Sequence, residues 1–364
     1  MLIDIIAGAR PNFMKIAPII EAIDKAKNDG HKIDYRLVHT GQHYDSKMSG
    51  DFFSQLGIPE PHINLEAGGG TQAEQTAAIM VRYEKVLMEQ RPDLVLVVGD
   101  VTSTMACSIT AKKLNNIKVA HVEAGIRSGD LTMPEEINRI VTDSLTDYFF
   151  TTTEIANNNL LHSGISAERI FLVGNTMIDT LLKNQHRFIK PDIWQQANLL
   201  TKMYFILTLH RPANVDDENT LKELLKEIIT NANGLPVIFP VHPRTAKNMQ
   251  TIGLLAPNLY LIEPLSYLEF NYLVEHSLCV ITDSGGITEE TTVLGIPCIT
   301  LRTTTERPET VEIGTNELIG IDPKAIKPTI DKLLHGNWKK GGIPPLWDGK
   351  TGERIIEKLL GILR

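Results

Sequence analysis

The amino-acid sequence predicts an α/β protein built on doubly wound parallel sheets and divided into two domains. Three observations lead there. Short β-branched runs recur along all 364 residues. Several are apolar on both faces, the pattern of parallel strands covered by helices on each side. Helix-length amphipathic segments alternate with them. At about 150 residues per domain, the length itself indicates two.

In the first half the strand-like runs are LIDIIA (2–7), YRLVHT (35–40), LVLVV (94–98), KVAHV (118–122), YFFT (148–151) and IFLV (170–173). Amphipathic helices are predicted at 14–28, 71–90 and 103–115. Residues 176–200 contain no convincing strand and carry Lys190-Pro191, so the seam between domains falls there, giving domains 1–180 and 181–350. The second half resumes with YFILTL (204–209), PVIFPV (236–241), LYLI (259–262), LCVIT (278–282) and PCITL (297–301), with helices at 219–232 and 286–295. The terminal GERIIEKLLGILR has helical amphipathicity. Two α/β domains of similar size with a central cleft are expected to grip a ligand from both sides.

Composition narrows the function classes. Hydrophobic residues at 42% and charged residues at 22% exclude a disordered chain, a collagen-like rod and a disulfide mini-protein. A net charge of −8 argues against nucleic-acid or anionic-membrane partners, whose polyanionic fields such a chain repels. Cys107, Cys279 and Cys298 lie far apart without zinc spacing, so reduced, buried thiols and no metal site are expected. The apolar stretch before Gly8 is too short for a signal-peptide core, and no run approaches the ~20 residues of a membrane span. A cytoplasmic protein is expected.

Five motifs carry chemistry. GARPNFMK places Arg10 and Lys15 around a helix start after the first strand, a usual setting for an anion, or a solvated helix start. There is no G-x-G-x-x-G and no Walker A sequence, so neither dinucleotide nor P-loop binding is indicated. VVGDVTSTMA delivers Asp100 at a strand end, as a site carboxylate or a plain helix-start residue with Thr102 or Ser103 as cap. HVEAGIRSGD, followed by MPEEINR, brings Glu123, Glu135 and Arg139; Asp100, Glu123 and Glu135 can converge above one sheet, where crowding separates a general acid from a general base. LTLHRPANVD puts His210 at the end of the second domain's first strand, as a buried structural histidine or a proton-handling one. TDSGGITEETTVLGIPCITLRTTTERPE is the most specific stretch. Ser284, Gly285 and Gly286 open a helix whose N–H groups suit a phosphate, Glu290 can accept ribose hydroxyls, and Arg307 returns on a polar loop; the alternative is a purely structural Gly-rich turn.

Taken in order, GARPNFMKIAP, Gly99-Asp100, HVEAGIR, PEEINR, VGNTMIDTLL, DSGGITEE, TTERPE and GTNELIG closely resemble the non-hydrolysing UDP-N-acetylglucosamine 2-epimerases, nearly end to end. The resemblance implies a GT-B-like fold: two Rossmann-like domains with a central cleft, and a C-terminal helix, 351–364, crossing back to the first. It implies inversion at C2 of UDP-GlcNAc to UDP-ManNAc, by anti elimination of UDP to a 2-acetamidoglucal and re-addition. Asp100, Glu123 and Glu135 match the family's acid/base carboxylates, and His210 its cleft histidine. Arg10, Lys15, Arg139, His242, Phe270, Ser284, Gly285, Gly286, Glu290 and Arg307 match its substrate-binding positions. No cofactor is implied. A homodimer is, together with a role in cell-surface polysaccharide synthesis.

The chain departs from the family pattern in places. Asn12 stands where the best-known members carry Glu. The loop Thr40–Met48 and the Gly-rich Glu66–Gly70 lack the downstream Arg with which many members hold an activating second UDP-GlcNAc. The alternatives to the leading reading are a 2-epimerase of a related sugar such as UDP-2,3-diacetamido-glucuronate, a hydrolysing epimerase, a GT-B glycosyltransferase and a catalytically idle nucleotide-sugar sensor.

Overall fold

A computed structural model describes every residue except 42–55, 115–116, 242–244, 246–247, 250–251, 255 and 364. The chain forms two compact units, Met1–Lys183 with Pro345–Arg364, and Asn184–Pro344.

The first unit runs β1 (Leu2–Ala7), α1 (Arg10–Asn28), β2 (Asp34–His39), β3 (Ile63–Asn64), α2 (Gln72–Glu89), β4 (Leu94–Val98), α3 (Thr102–Lys113), β5 (Lys118–Val122), α4 (Pro134–Leu145), β6 (Tyr148–Thr151), α5 (Glu154–His162), β7 (Ile170–Leu172) and α6 (Thr176–Asn184). Its sheet has the order β3-β2-β1-β4-β5-β6-β7, with every neighbouring pair parallel. The order reverses between β1 and β4, so the loops leaving those two strands diverge and open a crevice above their C-terminal ends. β4 is buried at all five residues, which is why it is apolar throughout. One face of the sheet packs Val95, Val97 and Val119 against Ile79 and Tyr83 of α2 and Cys107 and Ala111 of α3.

The second unit runs α7 (Ile193–Gln196), β8 (Phe205–Thr208), α8 (Pro212–Val215), α9 (Glu218–Asn231), β9 (Val237–Pro240), β10 (Leu259–Ile262), α10 (Tyr267–His276), β11 (Cys279–Thr282), α11 (Gly285–Leu294), β12 (Cys298–Thr300), α12 (Pro308–Glu312), β13 (Asn316–Leu318) and α13 (Ile326–Leu334). Its parallel sheet is ordered β10-β9-β8-β11-β12-β13 and reverses between β8 and β11. Leu221, Leu224, Leu225 and Ile228 of α9 cover one face, and Leu273 and Val274 of α10 cover the other.

The last helix, α14 (Thr351–Ile362), belongs to the first unit and packs along α1. A β-carbon on Gly352 would lie 2.4 Å from the Pro18 carbonyl oxygen, so the approach requires glycine. The Asp179 carboxylate accepts the Gly352 N–H at 2.8 Å and caps this helix from outside. Trp347, just before it, is buried and donates from its indole to the Thr152 carbonyl.

The two Rossmann-like sheets place the chain in the GT-B-like class expected from the resemblance. The differences from the sequence reading are local. β3 and β13 are additional, short strands at sheet edges. α1 begins four residues earlier than the apolar period, because the Asn12 side chain accepts the Gly8 and Ala9 N–H groups and turns the chain into helix at once. α3 is preceded by Val101 with no side-chain cap, so Thr102 and Ser103 do not have the capping role open to them. All three cysteines are free and buried. No described helix is long and apolar enough to cross a membrane.

Candidate active site

In the first unit the candidate side chains stand at the C-terminal ends of β1, β4 and β5. Lys15, one turn into α1, donates to Glu123 Oε2 at 2.8 Å, and both are largely buried. Glu123 follows β5 with φ 68°, a left-handed conformation that costs a side-chain-bearing residue about 1 kcal/mol or more. Its N–H and that of Ala124 are both fastened to the Phe150 carbonyl of β6, which holds the turn in place. Gly99 lies between these groups. A β-carbon there would fall 3.1 Å from Lys15 Nζ, 3.7 Å from Glu123 Oε2 and 3.9 Å from Asn12 Nδ2, on a residue whose φ is already +69°. The glycine therefore keeps the floor of the crevice open.

Asp100 comes next. Arg139 of α4 holds its Oδ2 through both Nε and Nη2, and Asn138 donates to its carbonyl at 2.8 Å. Arg139 also reaches Glu136 at 2.7 Å. Glu136 in turn accepts the Ser128 and Gly129 N–H groups. Burial pushes the pKa of that carboxyl up, but these donors outweigh burial and hold it below the usual range. Arg139 is thus engaged with two carboxylates, orienting Asp100. Glu135 sits half-buried in the first turn of α4. Arg10 is the first residue of α1.

Behind these groups lies a buried histidine. His121, on β5, meets the Gly99 carbonyl through Nε2 at 2.9 Å and Asp143 through Nδ1 at 2.7 Å. Asp143 also accepts the Gly125 N–H and pairs with Arg127 at 2.6 Å. Burial works against its charge, yet His121 and Arg127 overcome that and keep the carboxyl below its ordinary range.

The second unit has its own cluster at the ends of β8 and β11. Asp283 is fully buried and accepts the backbone N–H groups of His210 and Arg211 and the amide of Asn214. It also holds His210 Nδ1 at 2.8 Å, while 56% of the histidine side chain remains exposed. That leaves Nε2 as the nitrogen available to a ligand. Burial would raise the Asp283 carboxyl, but His210 and these donors bring it below the usual range. Ser284 precedes α11, and Gly285 and Gly286 form its first turn. A β-carbon on Gly285 would lie 2.6 Å from Glu306 Oε1. Glu306 is gripped by Arg302 at 2.6 Å; burial opposes its charge, but Arg302 and Arg307 pull the carboxyl down to about 2. Arg307 is buried and ion-paired with Glu289 at 2.6 Å.

Glu290, one turn further, is buried, and burial pushes its carboxyl up to about 7 against the Tyr267 and Asn271 side chains beside it. Glu290 Oε1, the Tyr267 hydroxyl and Asn271 Oδ1 are all buried, with Tyr267 and Asn271 the polar side chains beside the carboxyl. Three such atoms together suit a polyhydroxylated ligand. Phe270 packs, partly buried, against the apolar cluster of Leu273 and Val274. His242 and most of the Thr40–Met48 loop lie outside the described residues.

The structure therefore brings Lys15, Asp100, Glu123 and Arg139 together in one unit, and His210, Ser284, Gly285 and Gly286 to the adjoining strand ends of the other. It adds Asn12, His121, Glu136 and Asp143 to the first group and Asp283, Tyr267 and Asn271 to the second. His121 lies in the HVEAGIRSGD motif two residues before Glu123, and Asp283 immediately precedes Ser284. Asp143 was signalled only by its position, one helical turn beyond Arg139.

Paired Rossmann-like units of this kind define a GT-B-like protein. Comparison with known proteins gives the family. Residues 25–360 match the family model described as UDP-N-acetylglucosamine 2-epimerase. A relative named UDP-N-acetylglucosamine 2-epimerase from Methanocaldococcus jannaschii is 43% identical, covering 99% of each chain. Another, named UDP-2,3-diacetamido-2,3-dideoxy-D-glucuronate 2-epimerase, from Pseudomonas aeruginosa, is 40% identical over 86% of this chain and 87% of its own. The crystal structure of the M. jannaschii UDP-GlcNAc 2-epimerase in complex with UDP-GlcNAc and UDP superposes with a TM-score of 0.88 at 42% identity, covering 99% of both chains. The chain belongs to the UDP-N-acetylglucosamine 2-epimerase family.

Proposed function

We propose that the protein interconverts UDP-GlcNAc and UDP-ManNAc by the non-hydrolysing route. The observation that carries this reading is the grouping of Asp100, Glu123 and Lys15 around the open floor at Gly99. In the forward direction a carboxylate removes the C2 proton, the C1–oxygen bond to UDP breaks, and the electron pair of the C2–H bond becomes the C1=C2 double bond of a 2-acetamidoglucal. UDP leaves with the C1–O electrons. Return of a proton to the opposite face of C2, with UDP re-adding at C1, gives the epimer. Two acid/base groups are needed because the proton leaves and returns on opposite faces. Asp100, Glu123 and Glu135 are the candidates.

The C2 proton is weakly acidic, so stabilising the departing diphosphate must do much of the work. The N–H groups of Gly285 and Gly286 and the free Nε2 of His210 suit that role, with Glu290 taking the ribose. Arg10, Lys15, Arg139, His242, Phe270, Ser284 and Arg307 are proposed to serve substrate binding, Arg139 through its hold on Asp100. The P. aeruginosa relative supports a second reading in which the sugar is a 2,3-diacetamido-glucuronate. We further infer a cytoplasmic homodimer, which light scattering tests.

The decisive experiment is proton NMR in D2O with both UDP-sugars. Deuterium entering C2 of the epimerised product, with UDP retained in it, is the expected result. Turnover without solvent label, or accumulation of free UDP and free sugar, refutes the non-hydrolysing route.

A further inference from the structure

His121 is a buried imidazole that bridges the turns carrying Asp100 and Glu123. Its two ring nitrogens both face acceptors. Nε2 meets the Gly99 carbonyl oxygen, which can only accept a hydrogen bond. Nδ1 meets Asp143 Oδ1. Asp143 is surrounded by the Arg127 guanidinium and the Gly125 N–H, both donors, so it is held as a carboxylate and cannot supply the proton for that bond. A neutral imidazole has one N–H and would leave one of these short contacts acceptor against acceptor. Both contacts are satisfied only if both nitrogens carry hydrogen. The ring is fully buried, and the Asp143 carboxylate beside it would compensate a charge on it.

The position matters as much as the charge. Gly99 immediately precedes Asp100, and His121 lies two residues before Glu123 on the neighbouring strand. A single ring therefore ties the end of β4 to the end of β5, while Asp143 ties both to α4, the helix that also carries Arg139. Lys15 on α1 and Arg139 on α4 fix the two carboxylates from the crevice side.

We propose that His121 is a positioning residue for the reaction, an imidazolium pinned between Gly99 and Asp143 that sets the separation of Asp100 and Glu123. The positioning role rests on the epimerase reading; the protonation state does not. The amide nitrogen of Asn occupies roughly the place of Nδ1, and that of Gln roughly the place of Nε2. His121→Asn therefore keeps the bond to Asp143 and loses Gly99, whereas His121→Gln keeps Gly99 and loses Asp143.

The expected result is an asymmetric loss. His121→Asn lowers kcat on the order of 100-fold and His121→Gln on the order of 10-fold, with KM and calorimetric UDP affinity changed less than about threefold. A merely structural role makes both variants fall together, in step with their melting temperatures, and would overturn the positioning claim. The charge is read separately, from the ring 15N shifts of the wild-type protein labelled at histidine, with His121→Gln assigning the signal. Two protonated-type nitrogens at neutral pH are expected. One pyridine-type nitrogen refutes the imidazolium, whether or not the variants fold. If the wild type does not epimerise either UDP-sugar, the function reading fails while the 15N spectrum still decides the state of His121.

Discussion

Replacing Asp179 by Asn isolates the energetics of the C-terminal helix. Asp179 is buried on α6, and its Oδ2 accepts the N–H of Gly352 at the start of α14. Burial pushes its carboxyl from 3.8 to about 6, although the N–H groups that open α14 pull the other way. The native state thus binds this proton more tightly than the unfolded chain does. The resulting stability is present in full below about pH 4 and is lost as the pH rises through about 6. About two pH units at 1.36 kcal/mol each makes the loss at most about 3 kcal/mol. Asparagine keeps an acceptor for Gly352 and never ionises, so Asp179→Asn should lose the part of the pH dependence that this carboxyl contributes. Urea unfolding of both proteins between pH 4 and 7.5 measures the difference. Trp347 fluorescence, in a background where Trp194 and Trp338 are phenylalanine, reports on the first unit alone. The variant's advantage should grow from near zero at pH 4 to as much as about 3 kcal/mol at pH 7. A difference that stays flat across the window, or one that grows toward acid, refutes the reasoning.

Three other expectations bear on the site. Gly99→Ala places a methyl group 3.1 Å from Lys15 Nζ on a left-handed backbone, so epimerisation should fall more than about 100-fold while calorimetric UDP affinity stays unchanged. Gly285→Ala drives a methyl group against Glu306 at the opening of α11, and UDP affinity should weaken by about tenfold, measured by calorimetry. Glu290, with its carboxyl near 7, accepts ribose hydroxyls best when ionised; UDP affinity should therefore strengthen from pH 6 to pH 8 in the wild type and lose that dependence in Glu290→Gln, as titrations at several pH values would show.

The sheets were legible where burial is complete. Leu94–Val98 is read from the sequence at its observed limits, because a parallel strand covered on both faces has almost no choice but to be apolar, and Lys118–Val122 is read as well, with four of its five residues buried. Ile63–Asn64 and Asn316–Leu318 were not legible. They are edge strands of two and three residues, too short for any period to register. At the site, carboxylates and cations next to strand ends stood out, and the groups behind them did not. α4 shows why. Its buried residues include Glu136, Asn138, Arg139, Thr142 and Asp143, while Ile137 and Ile140 are 48% and 41% exposed. A reading by hydrophobic period points the helix the wrong way, because its inner face serves Asp100 and His121 and not a core. Buried polar residues of this kind carry information that polarity alone conceals.

The path of the chain has a consequence for biogenesis. Residues 345–364 belong to the first unit but are made after the whole of Asn184–Pro344. The first unit thus leaves the ribosome with the Pro18 side of α1 uncovered and with Asp179 lacking the N–H it caps. The second unit is continuous and has all its residues before that helix exists. Synthesis order and completion order are therefore reversed: the unit that begins first is completed only after the second has been made, and its final docking step waits on the synthesis of residues 345–364.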